Sequence, residues 1–127
     1  MYQIEVRAFF CAAHKLPDTV HLVSKACASL HGHTYLAIVT CSRDVLEGGM
    51  VIDFKAVKNL IEKHLDHSFI NDVFAATPGW EQKESTAEHI ARFIQEKIKE
   101  ELKLDASVRL CEGYKGEAST NWVSVFP

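Results

Sequence analysis

The sequence predicts an α+β fold, and the periodicity of its apolar residues is the main reason. Apolar and polar residues alternate over 2–12 and again over 31–43, as expected for strands with one buried face. Apolar residues recur at helical spacing from Asp53 to about Leu65, and again over 85–102. Two further strands are predicted at the end of the chain, at residues 106–112 and 118–126. This order, β-β-α-α-β-β, predicts a four-stranded antiparallel sheet with two helices on one face.

Local signals support each predicted element. Asp53 can cap the first helix, whose apolar stripe is Phe54, Val57, Leu60, Ile61 and Leu65. The second helix opens on a capping-box pattern, Ser85-Thr86-Ala87-Glu88. Residues 13–30 and 66–84 show neither period and are predicted to be irregular. With no linker or low-complexity segment, we expect residues 1–127 to form one domain.

Composition narrows the class of protein. The chain of 127 residues has a formal net charge of -3 and a pI of about 6.1, which argues against nucleic acid as a main partner. No apolar run reaches the roughly 18 residues of a membrane span. The N-terminus lacks the pattern of a signal peptide, so we expect a cytoplasmic protein. Its four cysteines are then reduced thiols, and none forms a C-x-x-C pair.

A metal site is predicted by His31-Gly32-His33. Side chains two residues apart on a strand project to the same face, so both imidazoles can reach one ion. His14, at the end of the first predicted strand, can be brought beside His31 by antiparallel pairing. Three histidines with an open fourth position are typical of catalytic zinc. The alternative is a turn that carries exposed histidines.

Four further positions have both a chemical and a purely structural explanation. Cys27, four residues before His31, can stand beside the open coordination position or pack under a loop. In Asp66-His67 the carboxylate can set the tautomer of the imidazole, or the histidine can simply follow a helix C-terminus. Glu112 can accept hydrogen bonds from a pair of N–H donors on a ligand, or it can be a solvated glutamate at the end of a strand.

Together these motifs resemble the 6-pyruvoyltetrahydropterin synthase and 6-carboxytetrahydropterin synthase family. The resemblance spans nearly the whole chain and rests on the order and spacing of short motifs. They are Ala12-Ala13-His14, Cys27-x-x-x-His31-Gly32-His33, Asp53-Phe54, Leu65-Asp66-His67, Thr86-Ala87-Glu88, and Glu112 with Ala118. Two positions depart from the family pattern: Gly113 stands where Thr or Ser is usual, and Ser85 where proline is frequent.

The resemblance implies the tunnelling fold (T-fold), in which three subunits join their sheets into a barrel. Two trimers then stack into a homohexamer with active sites between subunits. It implies one zinc ion per subunit, held by His14, His31 and His33, with Cys27 as general base. Asp66 and His67 would act on the other side of the substrate. Glu112 would anchor the pterin, and Thr86 would contribute to its pocket.

The implied substrate is 7,8-dihydroneopterin triphosphate, on which the family acts as lyases. The pyruvoyl branch eliminates triphosphate without cleaving the side chain, whereas the carboxy branch also releases acetaldehyde on the path to queuosine. The spacing C-x-x-x-H-G-H resembles the bacterial carboxy branch. Two alternatives remain: a pterin-binding module without lyase activity, and a structural metal site in which Cys27 closes the fourth position.

Overall fold

A computed structural model describes residues 1–17 and 25–127, without the side chain of Lys25. Five strands form one sheet in the order β3-β1-β2-β4-β5. The elements are β1 (Tyr2–His14), α1 (Lys25–Ala28), β2 (His31–Arg43), α2 (Phe54–Leu65), β3 (Ser68–Phe69), α3 (Ile70–Ala75), α4 (Ala87–Leu102), β4 (Ala106–Glu112) and β5 (Trp122–Val125).

The antiparallel sheet is confirmed for its four longer strands, β1, β2, β4 and β5. The sheet is nevertheless mixed, because the two-residue strand β3 runs parallel to the end of β1. β3 and α3 lie in the segment that was expected to be irregular, and both are too short to show a hydrophobic period. The expected loop 13–30 likewise contains the last two residues of β1 and the single turn α1, while residues 18–24 lie outside the described ranges.

The core lies between one face of the sheet and the two long helices. β1 contributes its even-numbered residues Val6, Ala8 and Phe10, and β2 its odd-numbered residues from Tyr35 to Cys41. Helix α2 buries Val57, Leu60, Ile61 and Leu65 as predicted. Phe54, expected in the same stripe, is 56% exposed because it occupies the first turn, outside the contact with the sheet.

Helix α4 begins one residue later than the capping-box pattern predicted. Thr86 is the cap, and its hydroxyl accepts a hydrogen bond from the backbone N–H of His89. The expected pair of Ser85 with Glu88 is therefore wrong. Ser85 is fully buried, and its hydroxyl is used for contacts to other parts of the chain.

The opposite face of the sheet carries a smaller apolar cluster, which we call the outer cluster. It consists of Leu36, Ile38, Cys111, Tyr114 and Trp122. Phe9 packs edge-on against Tyr114 in this cluster and is 58% exposed. None of the described helices is long and apolar enough to cross a membrane.

Candidate metal centre and adjoining groove

The three predicted histidines meet at one end of the sheet. β1 and β2 pair in a register that sets His14 directly opposite His31 and Ala12 opposite His33. All three side chains project to the face that carries the core, since they continue the inward-facing positions of their strands. Their ring centroids lie between 4.6 and 5.2 Å apart.

Backbone carbonyls orient two of these imidazoles. The Nδ1–H of His14 donates to the carbonyl of Ser85 at 2.6 Å, and that of His31 donates to the carbonyl of Ser29 at 2.7 Å. A ring whose Nδ1 carries the proton presents the lone pair of Nε2. Metal-binding histidines are usually held in this way by a partner behind the ring.

Glu112 is the fourth member of the cluster. Ligand atoms of His14, His31, His33 and Glu112 all lie within 4.8 Å of one another. Glu112 reaches this position because β2–β4 pairing sets it opposite Tyr35, two residues after His33. Its Oε1 atom lies 2.8 Å from Nε2 of His33 and 3.8 Å from Nε2 of His14.

The buried nitrogens of this cluster fit a cation. Nε2 of His14 and Nε2 of His33 are buried and have no hydrogen-bond partner among the described residues. Although Oε1 of Glu112 is close to His33, the pair does not meet the directional requirement of a hydrogen bond. Buried polar atoms left in this state are costly unless something binds them. A divalent ion would satisfy both nitrogens at once.

The electrostatics of His33 favour the neutral form that a metal needs. Burial lowers the pKa of His33, Glu112 opposes this effect, and the neighbouring His14 and His31 lower the pKa further. The net direction is downward, so burial outweighs the attraction of the carboxylate. A neutral imidazole keeps its lone pair available for coordination.

Cys27 lies in α1, in the segment that leads to these histidines. Its backbone carbonyl accepts a hydrogen bond of 2.9 Å from the N–H of Leu16, two residues beyond His14. Among the described residues, the group of atoms close enough to share one ion does not include the Cys27 sulfur. The arrangement therefore gives no support to a structural site closed by Cys27.

Asp66 and His67 do meet. Nδ1 of His67 lies 2.9 Å from one Asp66 oxygen, and the backbone N–H of Cys11 donates to the other at 2.9 Å. That backbone hydrogen bond lowers the pKa of Asp66, and the hydrogen bond from His67 lowers it further. Asp66 thus stays ionised, and a carboxylate at Nδ1 favours the tautomer that presents the Nε2 lone pair as a proton acceptor.

The backbone of His67 is strained. It has a φ of 57°, a left-handed conformation that is unfavourable for a residue with a side chain. Its N–H donates to the carbonyl of Cys11 at 2.7 Å, which helps to hold this conformation. The result is an imidazole that is 85% exposed but tethered through Asp66. Such strained positions concentrate at functional sites.

An open groove of about 530 Å³ lies beside His67 at the same end of the sheet. Its lining residues are Cys11, Ala12, Ala13, Gly32, His33, Thr34, His67 and Ser68. Of the metal cluster only His33 is among these residues, and its side chain projects to the core face, whereas Cys11, Ala13 and Thr34 project to the opposite face. A substrate in this groove would contact His67.

Thr86 has a structural role as the cap of α4, whereas the sequence pattern placed it in the first turn after a Ser85 cap. The sequence did not reveal Ser85 as the partner of His14. Only the departure from the family's usual proline marked this position, and a backbone carbonyl leaves no signature in the side-chain pattern. The pairing depends on how α4 packs against β1, which local sequence does not determine.

Comparison with known proteins agrees with the fold and the motifs. The sequence profile of 6-pyruvoyl tetrahydropterin synthase matches residues 3–127. The 6-carboxy-5,6,7,8-tetrahydropterin synthase of Haemophilus influenzae is 34% identical, with 75% of this chain and 86% of that protein aligned. The Aquifex aeolicus protein of the same name is 49% identical over 51 residues, which cover 37% of this chain and 32% of that one.

The structural match extends over the whole fold. The structure of Caenorhabditis elegans 6-pyruvoyl tetrahydropterin synthase superimposes with a TM-score of 0.69 at 22% identity. The match covers 99% of this chain and 95% of that one, and it confirms the predicted tunnelling fold. From the profile match and the Haemophilus relative, the chain belongs to the 6-pyruvoyl tetrahydropterin synthase family.

Proposed function

We propose that this protein is a zinc-dependent 6-carboxytetrahydropterin synthase that acts on 7,8-dihydroneopterin triphosphate in queuosine biosynthesis. The observation that carries the proposal is the convergence of three imidazoles, two of which, His14 and His33, have buried Nε2 atoms without a partner among the described residues. The choice of the carboxy branch is supported by the names of the curated relatives and by the C-x-x-x-H-G-H spacing.

His14, His31 and His33 would hold zinc. When bound, zinc would polarise the side-chain hydroxyls of the substrate and acidify them and the neighbouring C–H. The three neutral histidines leave room for the substrate oxygen in a four-coordinate site. The carbonyls of Ser85 and Ser29 keep His14 and His31 facing that position.

Two proton-transfer groups would act on the substrate from different sides. Cys27 is the proposed general base, because a thiolate beside a cation is a competent acceptor at neutral pH. His67 is the proposed second group, since its Nε2 can take up or return a proton in the groove. Asp66 would stabilise the imidazolium that forms when His67 takes up a proton.

Glu112 would select the pterin. A carboxylate accepts two parallel hydrogen bonds, from the exocyclic amino group and from the adjacent ring N–H. Its position beside His33 would place the ring next to the zinc and the side chain over the metal. Thr86 would complete the pterin pocket from the start of α4.

Product analysis tests the proposal. Zinc-loaded protein is incubated with 7,8-dihydroneopterin triphosphate, and the products are identified by mass spectrometry with an aldehyde assay. Release of triphosphate and acetaldehyde is expected. Triphosphate with a pyruvoyl pterin would instead assign the chain to the pyruvoyl branch. Tight pterin binding without consumption would make it a binding module.

Two variants separate the proposed roles. Cys27→Ala should keep zinc and the fold but lose turnover, whereas His31→Ala should lose zinc. Cys41→Ala is the matched control, because Cys41 is buried in the core near the far end of β2. Full activity of Cys27→Ala would show that the base is another group.

We also propose that six chains assemble as two stacked trimers, with active sites between subunits. Phe9 supports this, since it is exposed beside the partly buried Tyr114 and Trp122 on the sheet face away from the helices. Six chains of 14.3 kDa would give about 86 kDa by light scattering. A monomeric mass at micromolar concentration would refute the assembly.

A further inference from the structure

Asn71, the second residue of α3, holds the backbone just beyond the metal ligand His14. Its side-chain Nδ2 donates to the carbonyl of Lys15 at 3.0 Å, and its Oδ1 accepts from the N–H of Lys15 at 3.1 Å. One amide thus binds both polar groups of a single residue. Lys15 follows directly after His14, so this clamp fixes the exit of β1 at the metal centre.

Ser85 connects the same amide to the imidazole of His14. The Ser85 hydroxyl donates to Oδ1 of Asn71 at 2.8 Å and lies 3.3 Å from the carbonyl of Lys15. The Ser85 carbonyl accepts from Nδ1 of His14 at 2.6 Å. Because Ser85 is fully buried, water does not compete for these contacts. The position of the His14 ring therefore depends on Asn71 through Ser85.

The clamp also reaches the segment of Cys27. Leu16, next to the clamped Lys15, donates its backbone N–H to the Cys27 carbonyl at 2.9 Å. Asn71 is thereby the starting point of two series of contacts, through its hydrogen bonds to Ser85 and to Lys15. One leads through Ser85 to His14, and the other leads through Lys15 and Leu16 to Cys27.

We infer that Asn71 is a positioning residue that sets the metal ligand His14 and the thiol of Cys27 together. This inference rests on the proposed function, in which those two residues serve one reaction. Asn71 would act through Ser85, Lys15 and Leu16 and not as a ligand of the ion. Its effect is to keep the ring and the helical turn α1 in one fixed relation.

These hydrogen bonds predict what each substitution removes. Asn71→Ala removes the clamp and the Ser85 contact. Asn71→Asp keeps an acceptor for Lys15 and Ser85 but loses the donor to the Lys15 carbonyl. Ser85→Ala keeps the carbonyl that holds His14 and leaves the clamp in place. Asn59→Ala, at an exposed position of α2, is the matched control.

The test measures metal affinity and thiol accessibility separately. Affinity for Co²⁺ is determined by competition with a chelator, and the visible spectrum of the bound ion reports its coordination geometry. Alkylation of Cys27 by iodoacetamide is followed in metal-free protein, with the modified residue localised by tandem mass spectrometry. Circular dichroism establishes that each variant is folded.

Asn71→Ala should weaken Co²⁺ binding by about 10- to 100-fold, the usual effect of losing a group that supports a ligand. It should also accelerate alkylation of Cys27 beyond the Asn59→Ala control. Ser85→Ala should weaken Co²⁺ binding less and leave the alkylation rate unchanged. Asn71→Asp should fall between the wild type and Asn71→Ala in both Co²⁺ affinity and the rate of Cys27 alkylation. If Asn71→Ala does not fold, Asn71→Asp is the variant that tests the inference.

Wild-type affinity and wild-type alkylation in the folded Asn71 variants would overturn the inference. A fall in affinity with unchanged alkylation would overturn the coupling of the two residues. Failure of the proposed function looks different: the wild type would bind Co²⁺ and respond to these variants but not consume the substrate. A wild type that binds no Co²⁺ would refute the metal centre, and the role of Asn71 with it.

Discussion

The metal centre can be tested through its contribution to stability, with His31→Ala as the perturbation. A ligand that binds only the folded state at 100 times its dissociation constant stabilises that state by about 2.7 kcal/mol. For a domain of 127 residues this corresponds to an increase in Tm of about 10 °C. Wild-type protein should therefore show a shift of this size in buffered zinc.

His31→Ala should lose most of this shift. Residues that merely support a ligand cost about 10- to 100-fold in affinity, so the loss of a ligand itself should cost at least about 100-fold. At the same free zinc the stabilisation then falls to about 0.4 kcal/mol, or about 2 °C. Without metal, the variant should lose about 1 kcal/mol from the hydrogen bond to Ser29.

The assay is differential scanning fluorimetry in a zinc–chelator buffer, which also limits binding of zinc to unfolded thiols. His89→Ala is the matched control, because Nδ1 of His89 is bonded to the carbonyl of Glu84 at 2.7 Å outside the cluster. It should lose a similar hydrogen bond and keep the zinc shift. A full zinc shift in His31→Ala, or the same loss in His89→Ala, would refute the assignment.

Three further predictions concern single side chains. Glu112→Gln should keep zinc but bind a pterin about 10- to 100-fold more weakly in a fluorescence titration, since it loses a charged acceptor; unchanged affinity would remove Glu112 as the anchor. The folded-state pKa of Asp66 is below its usual value, so the ionised carboxylate stabilises the fold above the unfolded pKa, and this stabilisation is lost as pH falls through the lower folded pKa. Asp66→Asn should therefore make the unfolding free energy less dependent on pH in that acidic window, and an unaltered acid profile would contradict this. Thr86→Ala should cost about 1 kcal/mol in unfolding free energy through loss of the helix cap, and it should also weaken pterin binding; lower stability with wild-type pterin affinity would leave Thr86 only its structural role.

Much of the fold was predictable because long elements carry their own period. The alternation in β1 and β2 and the apolar stripe of α4 identify them without tertiary information. β3 was not predictable, since a two-residue strand exists only through its pairing with β1. α3 has six residues, fewer than two helical turns, and its sequence gives no clear stripe.

The candidate site was predictable to the extent that it depends on one pair of strands. The spacing of His31 and His33 indicates a shared face, and antiparallel pairing brings His14 opposite His31. The position of Glu112 beside His33 depends on the pairing of β4 with β2, which the sequence pattern does not specify. The contact from Ser85 to His14 depends on helix packing, and there local rules predicted a different partner.

The register of β1 and β2 has a consequence for which insertions and deletions the protein can tolerate. Adding or removing one residue within either strand would turn every following side chain to the opposite face. In β1 this would turn His14 away from its partners, even if the change lay ten residues from the ion. A length change between Leu16 and Cys27 leaves both the register and the Cys27–His31 spacing unchanged. Natural variation in length should therefore accumulate between Leu16 and Cys27, and a one-residue deletion inside β1 should abolish metal binding.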